Sequence, residues 1–247
     1  MIDVASHWIF PIHAVPRAGP MPAGGTAIAF EGPSGDRLAG VHFPPNSEQP
    51  DRLLILGFGG NAWNAQDVGE YLHQVFPDSD VVAFYYRGYA PSRGEPSAEA
   101  LIADAPAIFD FAANLVRPTK TIAVGMSLGS GVAATLAVSR KLDGLILVTP
   151  FASLREVAQA AVPWIPLGPF FGHEIDAAAA LEAAKPRVAI IAGGRDEIVP
   201  KSCTDELRER APNIVFDRTI APAGHNDIYA RSDFQVALRE ARDRLIS

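Results

Sequence analysis

Residues 121–139 of the chain read TIAVGMSLGSGVAATLAVS, and this stretch decides the fold. Thr121–Gly125 is an apolar run typical of a strand that is buried on both faces. Ser130–Ser139 is a run of small residues that predicts a helix. The junction, GMSLG at residues 125–129, has the Gly-x-Ser-x-Gly pattern of a tight strand-to-helix turn that exposes a serine.

The serine of this turn, Ser127, is the candidate nucleophile. Gly125 and Gly129 are required because a side chain at either position would collide with neighbouring backbone. The turn lifts the hydroxyl to the sheet edge beside a helix N-terminus, where free N–H groups and partial positive charge face a developing oxyanion. A serine hydroxyl is a weak nucleophile, so a base must take its proton.

His225 is the candidate base among six histidines. It lies in the loop 221–227, directly after the last predicted strand, and a loop at the carboxyl end of a strand can reach the serine turn. His173 is the rival. The other four histidines precede the sheet, lie within a hairpin or lie on a helix, so they are poorer candidates.

An acid that fixes the tautomer of the base should follow a strand and lie between serine and histidine in the chain. The segment GGRDE at residues 193–197 directly follows a predicted buried strand. Asp196 is the preferred acid, and Glu197 is expected to be a solvated neighbour although its charge also qualifies. Asp227 is a weaker alternative because it is almost adjacent to the histidine.

An oxyanion hole needs two N–H donors directed at the point where negative charge develops. Leu128, the residue after the nucleophile, should supply one. The second should come from the Gly-rich loop 57–61, whose glycines let the backbone approach a substrate closely. We assign the second donor to Asn61, with Gly60 as the alternative.

Strand and helix patterns alternate on both sides of this stretch. Predicted strands are Thr26–Glu31, Arg37–Phe43, Leu53–Leu56, Val81–Tyr86, Thr121–Gly125, Leu145–Val148, Val188–Ala192 and Ile214–Ile220. Predicted helices are Ala65–Val75, Ser97–Val116, Ser130–Ser139, Cys203–Arg210 and Phe234–Leu245. This alternation predicts one α/β domain over residues 1–247, with a mostly parallel sheet of about eight strands and helices on both faces.

The segment 151–177 breaks the alternation because it is apolar and rich in proline. It predicts a small cap over the carboxyl ends of the strands, where ligands bind in open α/β sheets; an ordinary packed connection is the alternative. We expect Trp164, Phe170 and Phe171 in this cap to contact a hydrophobic group of the substrate.

The formal net charge is −7, and no cluster of lysine and arginine supplies the basic face of a nucleic-acid binder. Cys203 is the only cysteine, which excludes an intrachain disulfide and argues against a Cys-based zinc site. We expect no metal or cofactor. The N-terminal segment does not read as a signal peptide and no run predicts a membrane span, so we expect a cytoplasmic protein.

Several segments together resemble the α/β-hydrolase superfamily, in the branch of small serine hydrolases called Bem46-like or ABHD13/17-like, close to the serine aminopeptidase group. They are FGGNA at 58–62, YRGY at 86–89 with Ser92, GMSLG at 125–129, GRDEIVP at 194–200 and GHND at 224–227. The resemblance covers about residues 50–245. It implies a serine hydrolase that uses the nucleophile, acid and base named above.

Gly59 departs from the family pattern, which has a histidine at that position. That histidine usually braces the Gly-rich loop 57–61, which we name the oxyanion loop, so the resemblance implies a less firmly held loop here. Eukaryotic members include membrane-associated thioesterases, but the chain has no Cys-rich N-terminus for palmitoylation, and we do not carry a membrane location over.

The residues predict cleavage of an ester or thioester that carries a hydrophobic group, through an acyl-serine intermediate. One alternative is an aminopeptidase-like amide hydrolase in which Glu174 and Asp176 recognise a free amine. The other, of a different class, is a binding protein on a hydrolase fold that has lost catalysis.

Overall fold

The structure is a computed structural model that describes residues 8–47, 50–164, 167 and 171–247. The described residues form eight strands: β1 (Thr26–Glu31), β2 (Arg37–Phe43), β3 (Leu53–Phe58), β4 (Asp80–Phe84), β5 (Lys120–Met126), β6 (Gly144–Val148), β7 (Val188–Gly193) and β8 (Ile214–Ile220). Their α-helices are α1 (Ala65–Val75), α2 (Ala98–Val116), α3 (Leu128–Ser139), α4 (Leu154–Ala161), α5 (Ala177–Ala184), α6 (Lys201–Arg210) and α7 (Ser232–Ile246).

The strands make one sheet in the order β1-β2-β4-β3-β5-β6-β7-β8. The strands β3 to β8 all run parallel to one another, whereas β1 and β2 form an antiparallel hairpin at one edge. The helices contact one another in two groups, α1 with α7, and α2, α3, α5 and α6 in succession. The predicted fold class, a mostly parallel sheet covered by helices, is therefore confirmed.

The central strands explain why this topology is stable. All five residues of β6 and all but the first of β5 are buried, so these strands are covered on both faces. Parallel sheets of this kind need helices on each side because their strands expose no polar face to water.

The structure adds two helices that the sequence analysis did not predict, α4 and α5. Helix α5 is nearly all alanine, and the carboxylate of Asp176 caps it by accepting a hydrogen bond from the N–H of Ala179 at 2.8 Å. Alanine has the highest helix propensity, so composition could have revealed this helix. Helix α4 lies inside the predicted cap segment, between Pro150 and α5.

The site is positioned by the point where the strand order changes direction. From β3 the chain crosses to β4 on one side, and it later returns to β5 on the other side of β3. The loops after β3 and β5 consequently diverge and leave a crevice at the carboxyl edge of the sheet. Both the loop 57–61 and Ser127 lie at this crevice.

Candidate active site

Ser127 occupies a strained turn between β5 and α3. Its φ is +51° and its ψ is −117°, a backbone conformation that non-glycine residues rarely adopt. A Cβ on Gly125 would lie 2.3 Å from the carbonyl oxygen of Gly129, and a Cβ on Gly129 would lie 2.1 Å from that of Phe58. The turn therefore excludes side chains at both positions, as the motif predicts.

Three loops bring the predicted serine, histidine and aspartate together. The Nε2 atom of His225 lies 2.9 Å from Oγ of Ser127. The Nδ1 atom of the same ring lies 2.8 Å and 3.0 Å from the two carboxylate oxygens of Asp196. This chain of hydrogen bonds is the arrangement in which a carboxylate fixes the histidine tautomer and leaves Nε2 free to take the serine proton.

Backbone hydrogen bonds hold the acid and the base in place. Asp196 accepts from the N–H groups of Ile198 at 3.0 Å and Val199 at 2.8 Å. Its side chain and that of His225 are 9% and 7% exposed. Little solvent therefore competes for the hydrogen bond between them.

Glu197 and Asp227 have positions that the sequence analysis did not foresee. The carboxylate of Glu197 accepts from the backbone N–H of His225 at 3.1 Å, so it is not merely a solvated neighbour. Asp227 accepts from the N–H of Gly224 at 2.6 Å. Both carboxylates bind the backbone of the histidine loop, whereas the imidazole pairs with Asp196.

His173, the rival base, lies in the cap segment. Its ring is edge-on to Phe10 at 5.3 Å and to Phe171 at 6.3 Å between centroids, and it is buried. It is not among the described residues that line the cavity at Ser127. The structure therefore brings His225, and not His173, to the serine.

The proposed oxyanion donors lie near the serine. The cavity beside Ser127 is lined by Leu128, Gly60 and Asn61. A Cβ built on Gly60 would lie 3.7 Å from that of Ser127, so this loop passes close to the nucleophile. Leu128 is the first residue of α3, which places the free N–H groups of the helix at the same point.

Two tyrosines hydrogen-bond to the backbone of the oxyanion loop, in which Gly59 replaces the histidine of the family pattern. The hydroxyl of Tyr86 donates to the carbonyl of Gly59 at 2.7 Å, and that of Tyr89 donates to the carbonyl of Asn61 at 2.9 Å. Burial raises the pKa of Tyr86 well above its ordinary value, so its hydroxyl remains a donor. These two hydrogen bonds hold the loop at which the family's histidine is replaced by glycine.

A cavity of about 510 Å³ opens at the serine. Its described lining is Trp8, Ile9, Gly60, Asn61, Ala62, Trp63, Ser127, Leu128, Phe151, Leu154, Val157, Ile198, Val199, His225, Asn226 and Tyr229. Among these described lining residues there is no aspartate, glutamate, lysine or arginine. Burial raises the pKa of Tyr229 above its ordinary range, so this hydroxyl also stays neutral.

The aromatic residues predicted to contact the substrate do not line this cavity where they are described. Trp164 is 76% exposed, and Phe171 is buried against His173; Phe170 lies outside the described residues. The cap segment contributes Phe151, Leu154 and Val157 instead. Trp164 lies in a turn beyond the end of α4, and its contact with a substrate stays a prediction.

The N-terminal segment contributes cavity residues that the sequence analysis missed, Trp8 and Ile9. They carry no motif. Their only signal is that Trp8, Ile9 and Phe10 are consecutive large apolar residues ahead of the first strand.

The acidic residues considered for amine recognition have other partners. Glu174 forms an ion pair with Arg155 at 2.9 Å and accepts from the hydroxyl of Ser153 at 3.0 Å. Asp176 caps α5. Neither is among the described cavity residues.

The described part of the chain lacks two features, a cluster of metal-ligating side chains and a membrane-spanning helix. Those residues contain no group of three or more histidine, cysteine, aspartate or glutamate side chains placed to hold a metal ion. They also contain no helix with the length and apolar character needed to cross a membrane.

Comparison with known proteins identifies the family. Residues 53–169 match the family model described as alpha/beta hydrolase fold. The uncharacterized protein Rv2307c of Mycobacterium tuberculosis is 33% identical over 222 residues, which cover 86% of this chain and 78% of that protein. The chain belongs to the α/β-hydrolase family. Membership places it among hydrolases and leaves open which bond it cleaves.

Solved α/β hydrolases share the fold at low sequence identity. The esterase Pf2001 of Pyrococcus furiosus superimposes with a TM-score of 0.76 at 17% identity and covers 94% of this chain and 96% of its own. An alpha-beta hydrolase from Vibrio vulnificus has the same TM-score and identity and covers 98% of this chain and 91% of its own.

Lysophosphatidylserine lipase ABHD12 of Danio rerio is a partial sequence relative. It is 37% identical over 124 residues, which are 46% of this chain and 32% of that protein.

Proposed function

We propose that this α/β hydrolase is a serine esterase or thioesterase that cleaves substrates with a hydrophobic group through an acyl-serine intermediate. One observation carries the proposal, the hydrogen-bond chain from Ser127 through His225 to Asp196 at a cavity whose described lining has no aspartate, glutamate, lysine or arginine. The cycle uses only protein groups and water.

The proposed reaction has two acyl-transfer steps. Oγ of Ser127 attacks the carbonyl carbon while Nε2 of His225 takes the serine proton and Asp196 stabilises the imidazolium. The N–H groups of Leu128 and Asn61 (or Gly60) hold the oxyanion, and the imidazolium returns the proton to the departing alcohol or thiol. Water then attacks the acyl-serine with the histidine as base, which releases the carboxylic acid and restores the serine.

The cavity lining favours a hydrophobic and uncharged group next to the scissile bond. Burying an ion among apolar side chains without a partner costs several kcal/mol, and the described lining offers no lysine, arginine or carboxylate as a partner. Two similar proteins are named for esters, the esterase Pf2001 and lysophosphatidylserine lipase ABHD12. Both names agree with an ester substrate.

The aminopeptidase alternative has weaker support. An enzyme that selects a free α-amine needs an unengaged carboxylate near the serine, and Glu174 and Asp176 already bind Arg155 and the start of α5. Esters and thioesters also have better leaving groups than amides. The aminopeptidase alternative therefore requires a carboxylate that the described site does not supply, whereas the ester proposal requires no such group.

A substrate panel tests the proposal on one protein preparation. We expect p-nitrophenyl esters and acyl thioesters of medium chain length to be hydrolysed, and aminoacyl-naphthylamides to react far more slowly. Faster turnover of the amides would favour the aminopeptidase. No turnover of any substrate by a folded preparation would favour the binding protein.

A cytoplasmic location stays a prediction, which cell fractionation tests.

A further inference from the structure

The N-terminal segment of residues 8–24, which we name the strap, forms one wall of the cavity although it precedes the sheet. Ile9 is 2% exposed and lines the cavity. Trp8 lines it too and is 47% exposed, so Trp8 presents open surface at the cavity, whereas Ile9 is packed into its wall. The strap thus contributes one closely packed apolar side chain to the wall of the cavity that opens at Ser127.

Buried groups at both ends of the strap fix its position. At one end Phe10 is buried edge-on against His173 of the cap segment. Further along, the amide of Asn64 donates to the carbonyl of Pro16 at 3.3 Å, and the amide of Gln66 donates to the carbonyl of Gly19 at 3.1 Å. Buried polar side chains with defined hydrogen bonds hold one arrangement, because leaving such an amide unpaired is costly.

The strap is also tied to the oxyanion loop. Asn64 caps α1, the helix that follows the oxyanion loop, by accepting from the N–H of Asp67 at 2.9 Å. The same side chain therefore fixes the start of α1 and the path of the strap. As a result, Asn64 links the position of the strap wall to the position of the oxyanion donors.

We propose that Ile9 is a specificity-determining residue, which limits the length of the apolar chain that the cavity accepts. The inference rests on the proposed esterase function. A wall residue held in place by the strap cannot retreat from a longer chain, so its volume is subtracted from the space for substrate. In hydrophobic pockets one methylene more or less changes kcat/KM by roughly 10- to 200-fold.

Two substitutions of opposite size test the proposal in the full chain. Ile9→Ala enlarges the cavity and should raise the ratio of kcat/KM for decanoyl over butyryl p-nitrophenyl esters about tenfold or more. Ile9→Phe fills the cavity and should lower the same ratio by a similar factor. A parallel series of acetate esters of lengthening alcohols shows whether the acyl or the alcohol chain lies against Ile9. Ile12→Ala, on the same strap but outside the cavity lining, is the matched control and should leave both ratios unchanged.

The opposite signs separate this role from a structural one. Loosening of the strap would lower activity on short and long chains alike, whereas a wall residue moves the ratio up in one variant and down in the other. Ile9→Val, which removes a single methyl group, replaces the alanine variant if thermal unfolding shows that the latter is not folded.

Failure of this inference can be told from failure of the proposed function. Ratios that stay within twofold of wild type in both ester series, for Ile9→Phe and for either smaller variant, would overturn the role of Ile9 while wild-type esterase activity persists. Absence of ester hydrolysis by the folded wild type would overturn the proposed function itself.

Discussion

The floor and the roof of the cavity are held by different forces. The floor consists of the turns and loops that carry Ser127, Asp196 and His225, and backbone hydrogen bonds and close backbone contacts fix it. The roof consists of the strap and the described residues of the segment 151–177. Apolar side chains such as Ile9, Phe10 and Leu154 pack there, and the side chains of Asn64 and Gln66 hydrogen-bond to the strap. We therefore expect the chemistry to depend on the residues of the floor and the choice of substrate to depend on the side chains of the roof.

The largest expected effect is at the nucleophile. Ser127→Ala should lower kcat for a p-nitrophenyl ester by ~10⁶ if the three side chains act as a unit. Ser139→Ala, at the exposed end of the same helix, is the matched control and should retain full activity. Near-normal turnover by Ser127→Ala would show that Ser127 is not the nucleophile.

The next effect separates the acid from its neighbour. Asp196→Asn should lower kcat by about 10⁴ because the amide favours the wrong histidine tautomer. Glu197→Gln should cost about tenfold or less, because Glu197 binds the backbone of the histidine loop and glutamine can still accept that hydrogen bond. Steady-state kinetics of both variants would contradict the assignment if the two losses were equal or reversed.

A smaller effect is expected at Tyr86, which hydrogen-bonds to the oxyanion loop. Tyr86→Phe keeps the ring but removes the hydrogen bond to the carbonyl of Gly59, which frees the oxyanion loop to shift. We expect kcat to fall by about 10- to 100-fold with little change in KM, since misplacement by about 1 Å has a cost of this size. A rise in KM at constant kcat would instead place the tyrosine in substrate binding.

The smallest effects distinguish parts of the roof. Leu154→Ala should change kcat/KM for a medium-chain ester by about tenfold, because Leu154 lines the cavity. Trp164→Ala should stay within about twofold, because this side chain is 76% exposed. A large loss for the tryptophan variant would mean that the cap closes over the substrate.

The floor was predictable because its residues stand where geometry allows few alternatives. The GMSLG turn needs glycines for steric reasons, and an acid and a histidine that follow parallel strands must meet at one edge of the sheet. The strands and most helices follow from apolar runs and caps, and Ser97, where the predicted helix begins, caps α2. Fold and candidate chemistry were therefore available from local patterns.

The roof was not predictable because nothing in its sequence distinguishes inward from outward residues. Trp164 and Ile9 are both large and apolar, yet one is 76% exposed and the other 2%. The tyrosine brace joins Tyr86 to a carbonyl 27 residues away, which no local pattern records. Such contacts depend on how separate segments meet after folding.

Covalent labelling with a fluorophosphonate tests most directly whether the three loops make one reactive serine. We expect one adduct per chain, located by mass spectrometry on Ser127, and its loss in a folded His225→Ala variant. A folded wild type that stays unlabelled, or carries its adduct on another residue, would contradict the account.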